Sequence, residues 1–206
     1  MSTPNLEDTL EQMNVLAWDD VRTGEWISSI KSGVDGHNYN HAHQTITPIQ
    51  AFSKSIYLAG GWFNSTQQHD LEVATQVLTL DNDSVGYIHV PLLHQYKDTT
   101  IDNDPQGIFG GYEWSTETFK ADITAMQLAD VIVALYDSNE PDSGTSWEQG
   151  YMYALSKPIV LVDVNATKPV NLMDAKGLTY HCESWEELLT LDFNSIMPKP
   201  YAGEVF

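Results

Sequence analysis

Cations are scarce in this chain: nine Lys plus Arg stand against 29 Asp plus Glu in 206 residues, a formal net charge of −20. A surface this acidic excludes nucleic acid and anionic membrane as partners and disfavours highly phosphorylated ligands, while a neutral ligand is easily accommodated. Cysteine is almost missing. Cys182 has no second thiol to pair with, which excludes an internal disulfide. Nothing near it marks an activating site, so it is expected to be a core or strand-end residue rather than a nucleophile. A signal peptide and a long apolar run are both lacking, and a soluble cytoplasmic protein is expected. The dinucleotide spacing G-x-G-x-x-G is also absent, and no basic residue stands near the Gly60-Gly61 turn to balance a pyrophosphate.

What is present has the alternation of an α/β domain. The length suits one domain with an extension. Residues 1–53 lack the later rhythm and are read as an N-terminal extension packing on the domain or on a neighbouring subunit. A short amphipathic helix is expected over residues 5–18, with Leu6, Leu10, Met13 and Ala17 at helical spacing, and a second apolar turn at Trp26, Ile27 and Ile30. His37, His41 and His43 share a loop whose spacing permits a metal site, but a polar loop with scattered histidines is the simpler reading.

From residue 54 onward, strands are expected at 56–59, 86–90, 131–136, 158–162 and 178–181, and helices at 65–80, 114–127 and 184–191. Ser184 is placed as the cap of the last helix, with Glu187 at its third position. Residues 165–176 read as loop and the tail from residue 197 as extended. Gly60 and Gly61 turn the first strand into Trp62 and Phe63, where the backbone approaches a small ligand against a flat apolar wall, or where both rings are core. The polar stretch from 92 to 113, with Gln95 and Gly107, Gly110 and Gly111, has the length of a lid or binding loop.

The chain is organised around residues 130–157. Val131 to Tyr136 is a continuously apolar run rich in β-branched residues and bounded by turn formers, the pattern of a buried parallel strand. A loop of turn residues follows, and Ser143, Thr145 or Ser146 is expected to cap the next helix. Glu148 then falls in the first turn of that helix, at the rim where open α/β sheets bind ligands. Facing the positive helix end, its carboxylate is expected to stay ionised near neutral pH. Spacing alone leaves two readings: an ordinary acid stabilising its helix, or a carboxylate nucleophile. Asp122, one residue off the apolar stripe of Phe119, Ile123 and Met126, is either a solvated helix acid or a group aimed at the same rim.

Between Ala121 and Ser156 stand Asp122, Asp130, Asp137, Glu140, Asp142 and Glu148, and no Lys or Arg. Such crowding raises some carboxyl pKa values, so that one acid keeps a proton while another stays charged. Glycosidic-bond chemistry needs that division: one carboxylate meets a sugar carbon of oxocarbenium character, and another protonates the departing group.

Five stretches together resemble the nucleoside 2-deoxyribosyltransferases: Ile56-Tyr-Leu-Ala-Gly-Gly-Trp-Phe63, Asp122 before the central strand, Asp142-Ser-Gly-Thr-Ser-Trp-Glu-Gln-Gly-Tyr151, Pro169-Val-Asn-Leu-Met173 and Tyr201-Ala-Gly-Glu-Val-Phe206. The likeness covers residues 54–206. It implies a flavodoxin-like, doubly wound, five-stranded parallel sheet and a homo-oligomer, a hexamer or a dimer-based assembly, with shared sites. It implies transfer of a 2-deoxyribosyl group from a 2′-deoxynucleoside to a free purine or pyrimidine base, nearer the broad-specificity type, as in nucleotide salvage, with no metal or organic cofactor. On the resemblance, Glu148 is the nucleophile and Tyr57 orients it. Asp122 and Asp142 are the base-side carboxylates, one of them protonated. Trp62 and Phe63 wall the base, Gly60 lies in the turn beneath it, and Gln95 is a further base-side contact. Asn171 and Met173 come from an adjacent subunit to the sugar's 5′-hydroxyl side, and the carboxylate of Phe206 closes the pocket. Ala59 departs from the glycine common there, and the 1–53 extension is absent from shorter members. Two alternatives remain open: a hydrolase of 2′-deoxynucleoside 5′-monophosphates, with Ser143, Thr145 and Ser146 as phosphate contacts, and a non-catalytic nucleoside-binding domain.

Overall fold

The computed structural model describes residues 53–80, 82–101, 103–163 and 167–206. The expected helix over 5–18, the apolar turn near Trp26 and the three histidines His37, His41 and His43 lie outside the described residues.

Five strands form one sheet in the order β2-β1-β3-β4-β5. They are β1 (Lys54–Ala59), β2 (Val85–His89), β3 (Val131–Leu135), β4 (Ile159–Val162) and β5 (Tyr180–Cys182), and every adjacent pair is parallel. The order reverses direction between β1 and β3, the topological switch point at which doubly wound sheets open a crevice. Among the described residues four helices connect the strands, α1 (Ser65–Thr79), α2 (Tyr112–Leu128), α3 (Ser143–Ala154) and α4 (Leu172–Gly177), and α5 (Trp185–Thr190) follows β5. The expected α/β class and five-stranded parallel sheet are therefore present.

Side-chain alternation assigns each helix to a face. Ile56, Leu58, Val131, Val133, Val160 and Val162 pack with Leu71, Ala74 and Val77 of α1 and Leu188 of α5. The opposite residues, Tyr57, Ala59, Ile132, Ala134 and Ile159, pack with Met126 of α2 and Met152 of α3. Because both faces are covered, the central strands read as unbroken apolar runs rather than as alternating ones. Cys182 is fully buried in β5, and burial pushes its thiol up to about 12, which suits a core residue.

Three local readings change. The segment expected to be loop over 165–176 contains α4, a helix too short to show apolar periodicity. It is started by the Asn171 side chain, which accepts from the Met173 N–H at 2.9 Å. The long polar stretch after β2 holds two single 3₁₀ turns, Pro91–Leu93 and Tyr96–Asp98. The cap of α3 is Asp142, not one of the hydroxyl residues after it: its carboxylate accepts from the N–H groups of Gly144 and Thr145 at 3.2 and 2.8 Å. The α5 cap stands where expected, with Ser184 Oγ accepting from the Glu187 N–H at 3.1 Å. The tail is extended and tied down at two places, Lys199 beside Tyr180 and Val205 beside Val170.

Candidate active site

The site grows from the face of the sheet shared by β1, α2 and α3. Tyr57 is fully buried in β1, and its hydroxyl donates to Glu148 Oε1 of α3 at 2.6 Å. A bond this short, from phenol to carboxylate, fixes both partners. Burial pushes the Glu148 carboxyl up to about 7, the Tyr57 hydrogen bond opposes the shift, and the negative charges of Asp122 and Asp142 add to it. The Tyr57 phenol is held above its ordinary range, first by burial and then by the charges of Glu148 and Asp122.

This corrects the expectation that the helix end keeps Glu148 ionised at neutral pH. With α3 starting at Ser143, Glu148 lies in the second turn rather than the first. Two N–H groups of the first turn, those of Gly144 and Thr145, are spent on Asp142, which also accepts from Thr145 Oγ1 at 2.8 Å. Helix-dipole stabilisation fades beyond the first turn, so desolvation decides the shift.

Asp122 belongs to α2 and is aimed at the rim rather than at solvent. Its side chain is 17% exposed, and Oδ1 lies 3.5 Å from Nε2 of His89, the last residue of β2. Gln95 is buried, and its Oε1 has no hydrogen-bond partner. An orphaned buried acceptor is the kind of group that a ligand satisfies.

The Gly60-Gly61 turn is cramped by the protein's own side chains. A Cβ on Gly60 would stand 3.2 Å from Leu135, and one on Gly61 would stand 2.7 Å from the Gln67 side chain. Gln67 locks this turn to the loop before α3, since its Oε1 accepts from the Phe63 N–H at 2.9 Å and its Nε2 donates to the Glu140 carbonyl at 3.2 Å. The two rings divide between the two readings open to them. Trp62 packs on the core beside α1, whereas Phe63 is 71% exposed with its ring 5.4 Å from that of Trp62.

Asn171, Met173 and Phe206 form a separate group. The Phe206 N–H donates to the Val170 carbonyl at 3.2 Å, and the Leu172 N–H donates to the Phe206 carbonyl at 3.1 Å. Met173 borders a cavity of about 470 Å³ with Ser146, Gln149, Gly150 and Tyr153 of α3. Those positions recur at intervals of three and four, and at about 100° per residue their stripe lies roughly 150° around the helix from Glu148. One chain therefore does not bring this group to its own Glu148.

Sequence reasoning missed the partner of Asp122. His89 stacks on Tyr57 with ring centroids 5.4 Å apart and 14° between the planes. Its place at the end of a strand beside the switch point is the signal that marks it. Asp174 was also missed: it is buried in α4 and accepts from Ser146 Oγ at 3.0 Å and Gln149 Nε2 at 3.4 Å, and burial holds its carboxyl above the ordinary range. Among the described residues no group of three or more His, Cys, Asp and Glu could hold a metal ion, and no helix is long and apolar enough to cross a membrane.

Residues 56–183 match the family model described as nucleoside 2-deoxyribosyltransferase. A nucleoside deoxyribosyltransferase of Limosilactobacillus fermentum is 39% identical over 152 residues, 71% of this chain and 90% of that protein. Another, of Lactobacillus leichmannii, is 30% identical over 159 residues, 74% of this chain and 98% of the relative. Among solved structures, a 2-deoxyribosyltransferase of Bacillus psychrosaccharolyticus superposes with a TM-score of 0.62 at 33% identity, covering 71% of this chain and 98% of its own.

Proposed function

The chain belongs to the nucleoside 2-deoxyribosyltransferase family and is an enzyme of that activity, and from that premise we propose that Glu148 carries the deoxyribosyl group as an ester during transfer. The observation that carries the reading is the buried hydrogen bond from Tyr57 to Glu148. It aims one carboxylate oxygen and leaves the other free to attack C1′ of a 2′-deoxynucleoside. As the C–O bond forms, the N-glycosidic bond breaks, and its electron pair departs with the base. A carboxyl proton from Asp122 neutralises the base at a ring nitrogen, the Asp142 carboxylate being engaged as the cap of α3. A second purine or pyrimidine then attacks C1′ from the side the first one left. Its ring proton returns to the waiting carboxylate, and Glu148 leaves as carboxylate. Two displacements at one carbon give net retention.

A nucleophile that ionises near 7 matches this cycle, being charged for a large part of the time at neutral pH yet desolvated when it attacks. Gln95, with its orphaned amide oxygen, and exposed Phe63 take the base in this reading. Asn171, Met173 and Phe206 serve the sugar's 5′-hydroxyl side of a neighbouring subunit's site, which makes the working enzyme a homo-oligomer. Their position around α3 from Glu148 supports that sharing, as do the exposed Leu172, Tyr153 and Met173. A deoxynucleotide hydrolase fits less well, because the helix N-terminus that a phosphate would use is already filled by the Asp142 carboxylate.

Incubation with a deoxynucleoside donor and no acceptor, followed by intact-protein and peptide mass spectrometry, tests the proposal. A deoxyribosyl adduct on the peptide containing Glu148 is expected. Steady base exchange with no such adduct, under conditions that trap esters, would sink it.

A further inference from the structure

β2 ends in a residue that touches both arms of the site. In the sheet register His89 stands opposite Tyr57, and their side chains point to the same face. The His89 ring lies between two others: Tyr57 at 5.4 Å and 14°, and His94 at 4.4 Å and 23°. His94 is itself held by Nδ1, which donates to the Val90 carbonyl at 2.8 Å. An imidazole sandwiched in this way has little freedom to turn, and it is 7% exposed. Its Nε2 is presented to Asp122 Oδ1 at 3.5 Å. That separation is the long limit of a hydrogen bond, and catalytic contacts of this kind shorten once substrate fills the site.

We propose that His89 is a positioning residue for the transfer reaction, donating from Nε2 to the Asp122 carboxylate while that carboxylate exchanges a proton with the nucleobase. The proposal rests on Asp122 being the base-side acid. In the first half-reaction the Asp122 carboxyl gives its proton to the departing base and becomes a carboxylate, which accepts the His89 N–H. In the second half the incoming base returns a proton to Asp122. His89 ends each half with the protons it began with. The groups facing the ring are Tyr57 of β1, with Glu148 of α3 bonded behind it, Asp122 of α2, and His94 after β2; Tyr87, Tyr96, Glu117 and Lys120 border the cavity that His89 also lines. A donor aimed at the carboxylate where charge appears favours proton release in the transition state.

The test uses His89→Phe, which keeps an aromatic ring in the stack and removes the donor, and His89→Gln, which restores an amide N–H. Both are assayed with deoxyinosine and adenine and, separately, with 7-methyl-2′-deoxyguanosine, whose cationic base departs without needing a proton. His89→Phe should lower kcat with deoxyinosine about 10- to 100-fold, as loss of assistance to a general acid does. KM should change less than about threefold, the signature of an interaction made mainly in the transition state. His89→Gln should recover to within about fivefold of wild type. With the methylated donor, deoxyribosyl ester formation in His89→Phe should stay within about threefold of wild type. The ratio of the two donors' rates within one preparation is independent of the folded fraction, so a folding defect does not imitate this pattern. Full activity of His89→Phe with deoxyinosine, or equal loss with both donors, overturns the proposal. Glu148→Ala runs in parallel: if that variant stays active, the underlying nucleophile assignment fails, whatever His89 does.

Discussion

Tyr57 and Glu148 meet inside the face of the sheet covered by α2 and α3, joined by a 2.6 Å hydrogen bond and backed by the aromatic stack of His89 and His94. Met173 and Phe206, by contrast, are 78% and 68% exposed, and the tail is clipped by three backbone hydrogen bonds to the segment from Val170 to Leu172. The first group is complete within one chain and preorganised. In the second, backbone is placed accurately, but side chains point outward with little to hold them. The contrast teaches how the work is divided. On the proposed function, geometry that must be right at the reacting atoms is built from β1 and α3, where the core fixes it, whereas contacts to the distant end of the substrate would be left to surfaces that a neighbouring subunit completes.

Breaking the buried half should have the largest consequence. Glu148→Ala is expected to reduce base exchange by at least about 10⁴-fold in kcat, as removal of a covalent nucleophile does. The variant's circular dichroism should match that of wild type. Substantial residual exchange would mean that the buried pair is structural and the comparison is misdrawn.

The same half should also carry a stability cost. Glu148 ionises near 4.5 in an ordinary setting and near 7 in the fold, so the folded state binds more protons between these values. Stability is therefore fully present below about 4.5 and is lost as pH rises through 7. Glu148→Gln escapes that loss. Its denaturation free energy should equal that of wild type at pH 4 and exceed it at pH 8 by on the order of 2–3 kcal/mol. Urea titrations at the two pH values measure this, and a difference that does not grow with pH would contradict burial as the source of the shift.

Tyr57→Phe should act more mildly, with kcat falling about tenfold as one charge-assisted hydrogen bond is removed. The direction of its pH effect is the sharper readout. Tyr57 holds the Glu148 carboxyl down against burial, so losing the hydroxyl should move the acid limb of kcat/KM above 7. A limb that stayed in place would show that the hydroxyl aims Glu148 without tuning it.

Much of this architecture was legible because buried parallel strands announce themselves. Val131 to Leu135 and Ile159 to Val162 have β-branched runs that fit no amphipathic helix, and Ser184 with Glu187 marks a helix start by capping chemistry. The α4 helix stayed hidden because six residues are too few to show a period. At the site, spacing left Glu148 and Asp122 open, the family resemblance singled out Glu148, Asp122 and Asp142, and the protonation of Glu148 was not readable. Its pKa is set by how deeply α3 buries it against Tyr57, and that depth is a property of packing. His89 was passed over for a similar reason: only the pairing of β2 with β1 brings it to Tyr57.

The exposed half should yield the smallest effects, and their form matters more than their size. Asn171 uses its side-chain oxygen to cap α4, so Asn171→Ala removes both a cap and a polar contact, whereas Asn171→Asp keeps the cap and changes the contact. If the group touches the far end of the sugar in a neighbour's site, both variants should raise KM for deoxynucleosides about three- to tenfold, with a smaller change in kcat. The acid limb near 7 should stay fixed, because nothing around Glu148 has altered. Removing Phe206 should behave alike, with the added loss of the backbone clip to Val170 and Leu172. Mixing subunits sharpens the point. An oligomer assembled from Glu148→Ala and Asn171→Ala chains contains sites with both residues intact if sites are shared, and its KM for donor should then include a wild-type component. A mixture showing only the raised KM of the Asn171→Ala chains would place both halves of each site within one chain and erase the division between them.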